Sequence, residues 1–443
     1  MSLPIHIIGG GLAGSEAAWQ IARRGLDVVL HEMRPVVCTA AHQTDRFAEL
    51  VCSNSLKSDA HPSASWQLKE ELRLLGCLSM EAAAIARVPG GQALTVDRIT
   101  FAEHVTRAVE SNPRIAIERG EVTSLPEQGI VIIASGPLTS DALAAEIAKI
   151  TGSERLFFYD SISPIVDAHT VDTSIAFRAS RYDKSLDGTG DYLNCPMNKA
   201  EYDAFIEALR QAEAVAAHIP DDVPYFEACL PIEEIARRGP DTLRFGPMKP
   251  MGLLDPRTGR RPYACVQLRQ ENLRADSWNL VGFQNHLKFG EQKRILRMIP
   301  GLQNAEFLRY GQIHRNTYIN APALLDATLQ LRTEPRVFFA GQISGVEGYV
   351  ESIATGLIAG RNAADLAAGI TPVALPRESA LGALCHYVSS ADPRHYQPAN
   401  IAFDLFPPLD DDAALRLKHD KKARHAEICR RALESMQSAV ACA

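Results

Sequence analysis

The sequence has no uninterrupted apolar run near the roughly 18 residues a membrane-spanning helix needs, so a membrane-embedded protein is not expected. It also lacks a basic n-region and a small-residue cleavage site. The strand-like segment 4–8 runs straight into glycines, and no signal peptide is expected there. The nine cysteines are odd in number, with no Cys-x-x-Cys pair and no Cys/His spacing of a zinc site, so no metal centre is expected. Scattered from Cys38 to Cys442, they read as reduced thiols of a cytoplasmic protein rather than a disulfide framework. Acidic residues outnumber basic ones, 53 Asp/Glu against 46 Lys/Arg. A formal net charge of -7 argues against a generally adhesive nucleic-acid binder, but leaves room for a local basic face. No internal repeat or low-complexity tract stands out. What remains is ordinary globular composition over 443 residues, more than one hydrophobic core usually serves, so two domains are expected.

The first thirty residues carry the clearest pattern. Residues 5–8 form a short β-branched run suited to a buried parallel strand, glycines follow, and residues 15–24 have helical apolar spacing that stops at Gly25. A second strand at 28–30 ends at His31 and Glu32. Gly9, Gly11 and Gly14 therefore match the dinucleotide fingerprint in its strand–turn–helix context. One glycine permits the turn, the next lets the backbone approach a pyrophosphate, and the third lets helix and strand pack closely. Gly10, Leu12 and Ala13 complete the loop, whose amide donors and helix dipole favour phosphate. Glu32 is placed to bind ribose hydroxyls, with Met33 and Arg34 beside it. FAD and NAD share this fingerprint, so a distant segment decides between them. A strand at 337–340 leads into GQISGVEGY (341–349) and a helix over 351–366, the return segment of two-domain flavoproteins. Gly341, Gln342, Gly348 and Tyr349 are its cofactor-binding candidates, and FAD is the expected cofactor. Gly356 and Gly360 in that helix are equally explained by close helix packing.

The expected fold class is α/β: a Rossmann-like FAD-binding domain of the glutathione-reductase type, interrupted by a mixed α+β insertion. Its first part is predicted over 1–90, the insertion mainly over 91–330, and the second part over 331–443. The strand-like residues 129–136 are the piece of the insertion range that could return to the nucleotide fold. Helices are predicted over 65–75, 100–110 and 199–218, with a charged helix near the carboxyl end.

Longer motifs make the chain recognisable. EMRP (32–35), TDRFAELVCSNSLKSD (44–59), DYLNCPM (191–197), FEACLPIEEIARRG (226–239), LRFGPMKPMGLLDPRTG (243–259), HRNTYINAP (314–322) and GQISGVEGY resemble the folate- and FAD-dependent tRNA (uracil-5-)-methyltransferases. The resemblance covers almost the whole chain. Lys57 departs from it, standing where the family often has arginine. It implies transfer of a one-carbon unit from 5,10-methylenetetrahydrofolate to carbon 5 of a T-loop uridine in tRNA, through reduced FAD, with NAD(P)H as reductant.

That chemistry needs one nucleophile at carbon 6 of the uracil and one base at carbon 5. The resemblance points to Cys229 as nucleophile and Cys52 as base. The roles are interchangeable on sequence alone, Cys195 is a third candidate, and any of these thiols could instead be simply buried. Lys57 and Arg46 are candidates for lowering a thiol pKa. Glu347 is a plausible pterin partner, with Arg315 and Asn316 as further folate candidates. Residues 415–431 hold seven Lys/Arg against two acids, a net of +5. Lys418, Lys421, Lys422 and Arg424 there are candidates for the tRNA backbone, against the alternative of a solvated helix face. The target base is expected to be flipped out of its stack. Four other readings compete: a sibling flavoprotein modifying wobble uridine, a related enzyme methylating ribosomal RNA, an RNA-binding flavoprotein without methyl transfer, and a small-molecule NAD(P)H:flavin oxidoreductase.

Overall fold

The computed structural model describes residues 4–39, 41–152, 156–185, 190–215 and 230–441, with the side chains of 156–161 and 313–315 outside that description. β1 (Ile5–Ile8) is apolar apart from the half-buried His6, as suits a strand inside a parallel sheet. It pairs in parallel with β2 (Val28–Glu32) on one edge and with β4 (Ile130–Ile133) on the other. β3 (Ile115–Arg119) extends the sheet beyond β2. β6 (Glu334–Phe339) extends it beyond β4 and carries the short antiparallel β5 (Gln330–Leu331) at its edge. The order is thus β5-β6-β4-β1-β2-β3.

Helix α1 (Leu12–Arg23) crosses the long helix α3 (Tyr349–Ala367) at unusually close range. An ideal Cβ on Gly356 would lie 2.2 Å from the Ala13 carbonyl oxygen, and one on Gly360 would lie 2.7 Å from the Ala17 Cα. Only glycine permits that approach. The packing explanation of these two glycines is therefore correct. Behind α3 sit α2 (Ala64–Leu74), α4 (Ala380–Ser390) and the carboxyl-terminal α5 (Lys421–Ala441).

A second sheet is antiparallel throughout, running from Phe177–Ala179 through Tyr192–Met197, Ala264–Gln270, Ser277–Leu280 and Ile165–Asp167 to Phe307–Arg309. Its own core gathers Trp278, Phe205 and Phe283 under the helices Lys199–Arg210 and Ile232–Arg238.

Three sequence expectations change. The insertion range 91–330 is too wide, because β3 and the helices Arg98–Glu110 and Asp141–Thr151 pack into the first core, as do Tyr318 to Leu331, while β4 joins it as the reading of 129–136 allowed. The second core draws on Val166 to Phe307 instead. The helix predicted over 199–218 ends at Arg210, since Ala214 leaves it to bridge Leu287, and 216–218 lie outside the described residues. The charged terminal segment is split. A short helix Asp411–Arg416 stops, and Asp420 then caps α5 by accepting from the Ala423 N–H at 2.9 Å.

Candidate active site

The turn after β1 obeys the steric logic of its glycines. An ideal Cβ on Gly14 would sit 1.8 Å from the Gly9 carbonyl oxygen, so α1 could not lie this close to β1 with any larger residue. At Gly11, by contrast, a Cβ would meet nothing within 4 Å, because its open side faces a cleft. No side chain caps α1, leaving its first amide donors free to face a ligand. The cleft encloses about 1010 Å³, partly open to solvent. Its walls include Gly9, Gly11, Leu12, Ala13, Glu32, Met33, Arg34, Gly341, Gln342 and Tyr349 among the expected cofactor residues. Gly10, Gly14 and Gly348 shape it from behind. A Cβ on Gly10 would strike Phe47 at 2.5 Å, and one on Gly348 would strike the Glu351 carboxylate at 2.5 Å. Gly341, at φ 79°, holds a left-handed turn where β6 meets the cleft. The loop Ser135–Gly136–Pro137 after β4 completes the wall, a contribution the glycine fingerprint does not signal. A long groove with amide donors at one end and a return segment at the other fits FAD.

Glu32 differs from expectation. Its carboxylate already accepts from the Gly10 N–H at 2.9 Å, from the Arg34 N–H at 3.0 Å, and from Arg34 Nε and Nη2 at 2.9 and 3.1 Å. Burial pushes its pKa up, but the bonds and charge of Arg34 outweigh that and hold it below the usual carboxylate range. Arg34 is further fixed by Glu49 at 3.2 Å. Ribose hydroxyls would therefore meet an arginine–carboxylate pair rather than a free acid.

Cys52 sits on the loop beside this cleft, next to the wall residue Val51. The Cys52 and Ser53 N–H groups donate to the Tyr349 hydroxyl at 2.7 and 2.9 Å, which ties the loop to the first turn of α3. Sequence reasoning named Lys57 and Arg46 as its cations, and the structure assigns them elsewhere. Lys57 binds the buried Glu351 at 2.9 Å, and Arg46 binds Glu103 at 2.8 Å. The charges acting on Cys52 are instead those of Arg98, Arg269 and Arg309. Arg98 donates to the carbonyls of Leu50 at 3.0 Å and Cys52 at 3.4 Å and pairs with Glu271 at 2.7 Å. Arg309 donates to the Val51 carbonyl at 2.9 Å, and Arg269 to the Ser53 hydroxyl at 2.8 Å. These arginines lie far from Cys52 in sequence and outside its motif, so no local signal could have found them.

Of the other candidates, Cys229 lies outside the described residues. Both ends of its segment are anchored to one loop, by the Val215 N–H to His286 and the Ile232 N–H to Gln284, each at 2.8 Å. Cys195 is fully buried in the second core, where burial pushes its thiol far up, so its candidacy fails. Glu347 accepts from the cleft residue Gln342 at 2.7 Å. Asn316 is buried, its Oδ1 without a hydrogen-bond partner among the described residues, on a strand whose neighbour Thr317 bonds the cleft-wall carbonyl of Pro137. The Arg315 side chain lies outside the described residues. Lys418, Lys421 and Lys422 are exposed, Arg424 is half-buried, and none of the four forms an ion pair among the described residues. Arg430 and Arg431 of the same run are committed, to Glu427 and Glu434 and to the Pro407 and Pro408 carbonyls.

Comparison with known proteins places this chain in a family. The family model described as Glucose inhibited division protein A matches residues 4–371. A protein of Solibacter usitatus, named methylenetetrahydrofolate–tRNA-(uracil-5-)-methyltransferase TrmFO, is 70% identical over 438 residues, covering 99% of this chain and 98% of its own. The chain belongs to the TrmFO family. A second TrmFO relative, from Koribacter versatilis, is 63% identical over 98% of this chain and 97% of its own. Among solved structures, that of Aquifex aeolicus GidA covers 98% of this chain and 74% of its own, with a TM-score of 0.67 at 17% identity. That likeness establishes a GidA-like fold of mixed α/β sheets. Among the described residues of this TrmFO-family chain, no helix is long and apolar enough to cross a membrane, and no His/Cys/Asp/Glu group could hold a metal ion.

Proposed function

We propose that the protein transfers the one-carbon unit of 5,10-methylenetetrahydrofolate to carbon 5 of a T-loop uridine in tRNA, giving 5-methyluridine, with FAD as cofactor, NAD(P)H as reductant and the cytoplasm as its setting. The reading rests above all on 70% identity across nearly the whole chain to a protein named for that reaction. The first sheet reads as an FAD domain of the glutathione-reductase type and the antiparallel unit as its mixed α+β insertion. Gly11, the α1 amino terminus, Gly341 and Gln342 would hold the cofactor along the cleft.

Bound FAD would supply the one-carbon carriage and the hydride. This chain's own residues then have two proton and electron-pair tasks on the uracil. The Cys229 thiolate adds to carbon 6, and the displaced electron pair makes carbon 5 nucleophilic. After carbon 5 has gained its substituent, the Cys52 thiolate removes the carbon 5 proton, and the electrons left behind expel the Cys229 sulfur from carbon 6. Arg98, Arg269 and Arg309 keep the Cys52 sulfur in a cationic setting suited to a base. Glu347, Arg315 and Asn316 are the proposed folate contacts, and Lys418, Lys421, Lys422 and Arg424 meet the RNA backbone.

The test is incubation of the flavin-loaded protein with unmodified tRNA, NAD(P)H and carbon-labelled methylenetetrahydrofolate, followed by nucleoside analysis. Labelled 5-methyluridine is expected at the T-loop position, absent without folate and lost in Cys229→Ala and Cys52→Ala. A preparation that reduces its flavin but labels no tRNA rejects the substrate.

A further inference from the structure

The charge run at the carboxyl end has a counterpart that the sequence motifs obscured. Residues 237–261 carry seven Lys/Arg (Arg237, Arg238, Arg244, Lys249, Arg257, Arg260 and Arg261) against Asp241 and Asp255, again a net of +5 in a chain of net -7. The run begins in the last turn of the short helix Ile232–Arg238, which follows Cys229 in sequence.

This stretch, which includes the short helix Thr242–Phe245, is anchored to the insertion and is not a loose charged tail. Met248 and Leu253 are buried in it, and Arg181 donates to the Lys249 carbonyl and, at 3.0 Å, to the Met251 carbonyl. The Tyr182 N–H bonds the Gly252 carbonyl at 2.8 Å, and Gly252, at φ 78°, turns where any Cβ would strike the Tyr182 ring. Yet this anchored loop shows apolar side chains to solvent: Phe245 is 73% exposed, Leu254 67% and Met251 38%. Beside them lies a solvent-open groove of about 1160 Å³. Lys199, Arg260, Arg261 and Tyr263 line it, and the Arg244 guanidinium stacks 4.0 Å from the centre of the Tyr263 ring. The two acids on its wall are already spent. Asp255 is held by Arg257 in two bonds, and Glu201 accepts from the Asn198 N–H at 2.8 Å. The side chains of Lys249 and Arg260 form no ion pair or hydrogen bond among the described residues.

A merely solvated face does not need a rigid backbone or an exposed phenylalanine. Fixed cations interleaved with aromatic and apolar side chains are what a sugar-phosphate chain and its unstacked bases require. We infer that the 244–263 segment and its groove form an RNA-docking surface on the insertion, which takes the phosphate backbone of the tRNA. This deepens the proposed function and rests on it.

The test compares the flavin-loaded full chain with the Lys249→Ala/Arg260→Ala/Arg261→Ala triple variant and with Phe245→Ala. Binding of unmodified tRNA is followed by fluorescence anisotropy over a salt series, with flavin content and far-UV circular dichroism confirming that each variant folds. The triple variant is expected to bind at least about tenfold more weakly near 150 mM salt, with the slope of log affinity against log salt reduced by about 2–3. Phe245→Ala is expected to weaken binding with an unchanged slope, as a stacking contact would. If the wild type binds and methylates tRNA while the triple variant keeps both affinity and slope, the docking surface is refuted and an acidic protein becomes its fitting partner. If the wild type itself fails to methylate tRNA, it is the proposed reaction that falls.

Discussion

At the scale of single residues, the glycines of the first turn separate binding from folding. Gly11 and Gly14 belong to the same fingerprint, but an added Cβ meets empty cleft at one and the Gly9 carbonyl at 1.8 Å at the other. Gly11 has φ -73°, which any residue adopts, so Gly11→Ala is expected to fold with an apoprotein Tm close to that of the parent. Its methyl group would occupy the space a pyrophosphate needs, so FAD affinity should fall at least about tenfold, or about 1.4 kcal/mol. Gly14→Ala instead forces α1 off β1 and should cost about 3 kcal/mol or more, seen as lost soluble yield and a lowered Tm. Flavin absorbance per protein, set beside apoprotein melting, separates the two effects. Equal losses of stability in both variants would sink the assignment. The fingerprint was legible because strand, glycines, helix and acid fall within about thirty residues. The partner of Glu32 was not read, although Arg34 stands two residues away, because the motif suggests a free acid and only the structure shows the pair closed.

At the scale of elements, the carboxyl-terminal helices are tied to the flavin-type fold by one buried acid. Glu71 of α2 accepts from the Ala380 and Leu381 N–H groups at 2.7 and 2.9 Å, which caps the amino end of α4. Burial pushes its pKa up to about 7 against the bonds that favour its ionised form. In the unfolded chain it titrates near 4.5, so between pH 4.5 and 7 the folded state holds a proton that the unfolded state has lost. Stability from this group is therefore greatest below pH 4.5, declines as pH rises to about 7, and is level above that, a change of at most roughly 3 kcal/mol. Glu233, also raised to about 7 by burial, adds to the decline over the same window. Glu71→Gln should flatten part of it, measured as urea stability at pH 5 and pH 7.5. Glu71→Ala should cost about 1–3 kcal/mol at either pH by leaving amide donors of α4 unpaired. An unchanged pH profile in Glu71→Gln would assign the titration elsewhere. None of this was legible, since Glu71 sits in an ordinary amphipathic pattern and its partners lie some three hundred residues away.

At the scale of the whole molecule, the two cores meet where the proposed chemistry would occur. The expected insertion boundaries failed because β3, with its short alternating pattern, pairs in parallel with β2 at the edge of the first sheet, a long-range partner no local pattern shows. The Cys52 loop lies at the junction. Asn54 donates to the Gln270 carbonyl at 2.8 Å and accepts from Arg269 at 2.9 Å, while Arg98 of the first core grips Glu271 of the second with two bonds of 2.7 and 3.1 Å. Both members of that ion pair are largely shielded from water, with side-chain exposures of 14% and 5%. Removing one partner strands the other's charge, so Arg98→Ala and Glu271→Ala should each cost about 3–5 kcal/mol. The double variant strands neither charge and should cost clearly less than the sum, with a coupling of about 1–3 kcal/mol. If the pair also holds the catalytic loop, the double variant should regain stability but not turnover, because the Leu50 and Cys52 carbonyls still lack their Arg98 donor. Denaturant stability and methylation rate at saturating tRNA, read on the same four proteins, separate these outcomes. Additive stability losses would mean that the pair does not couple the cores, and full turnover in the double variant would show that Arg98 is not needed to position Cys52.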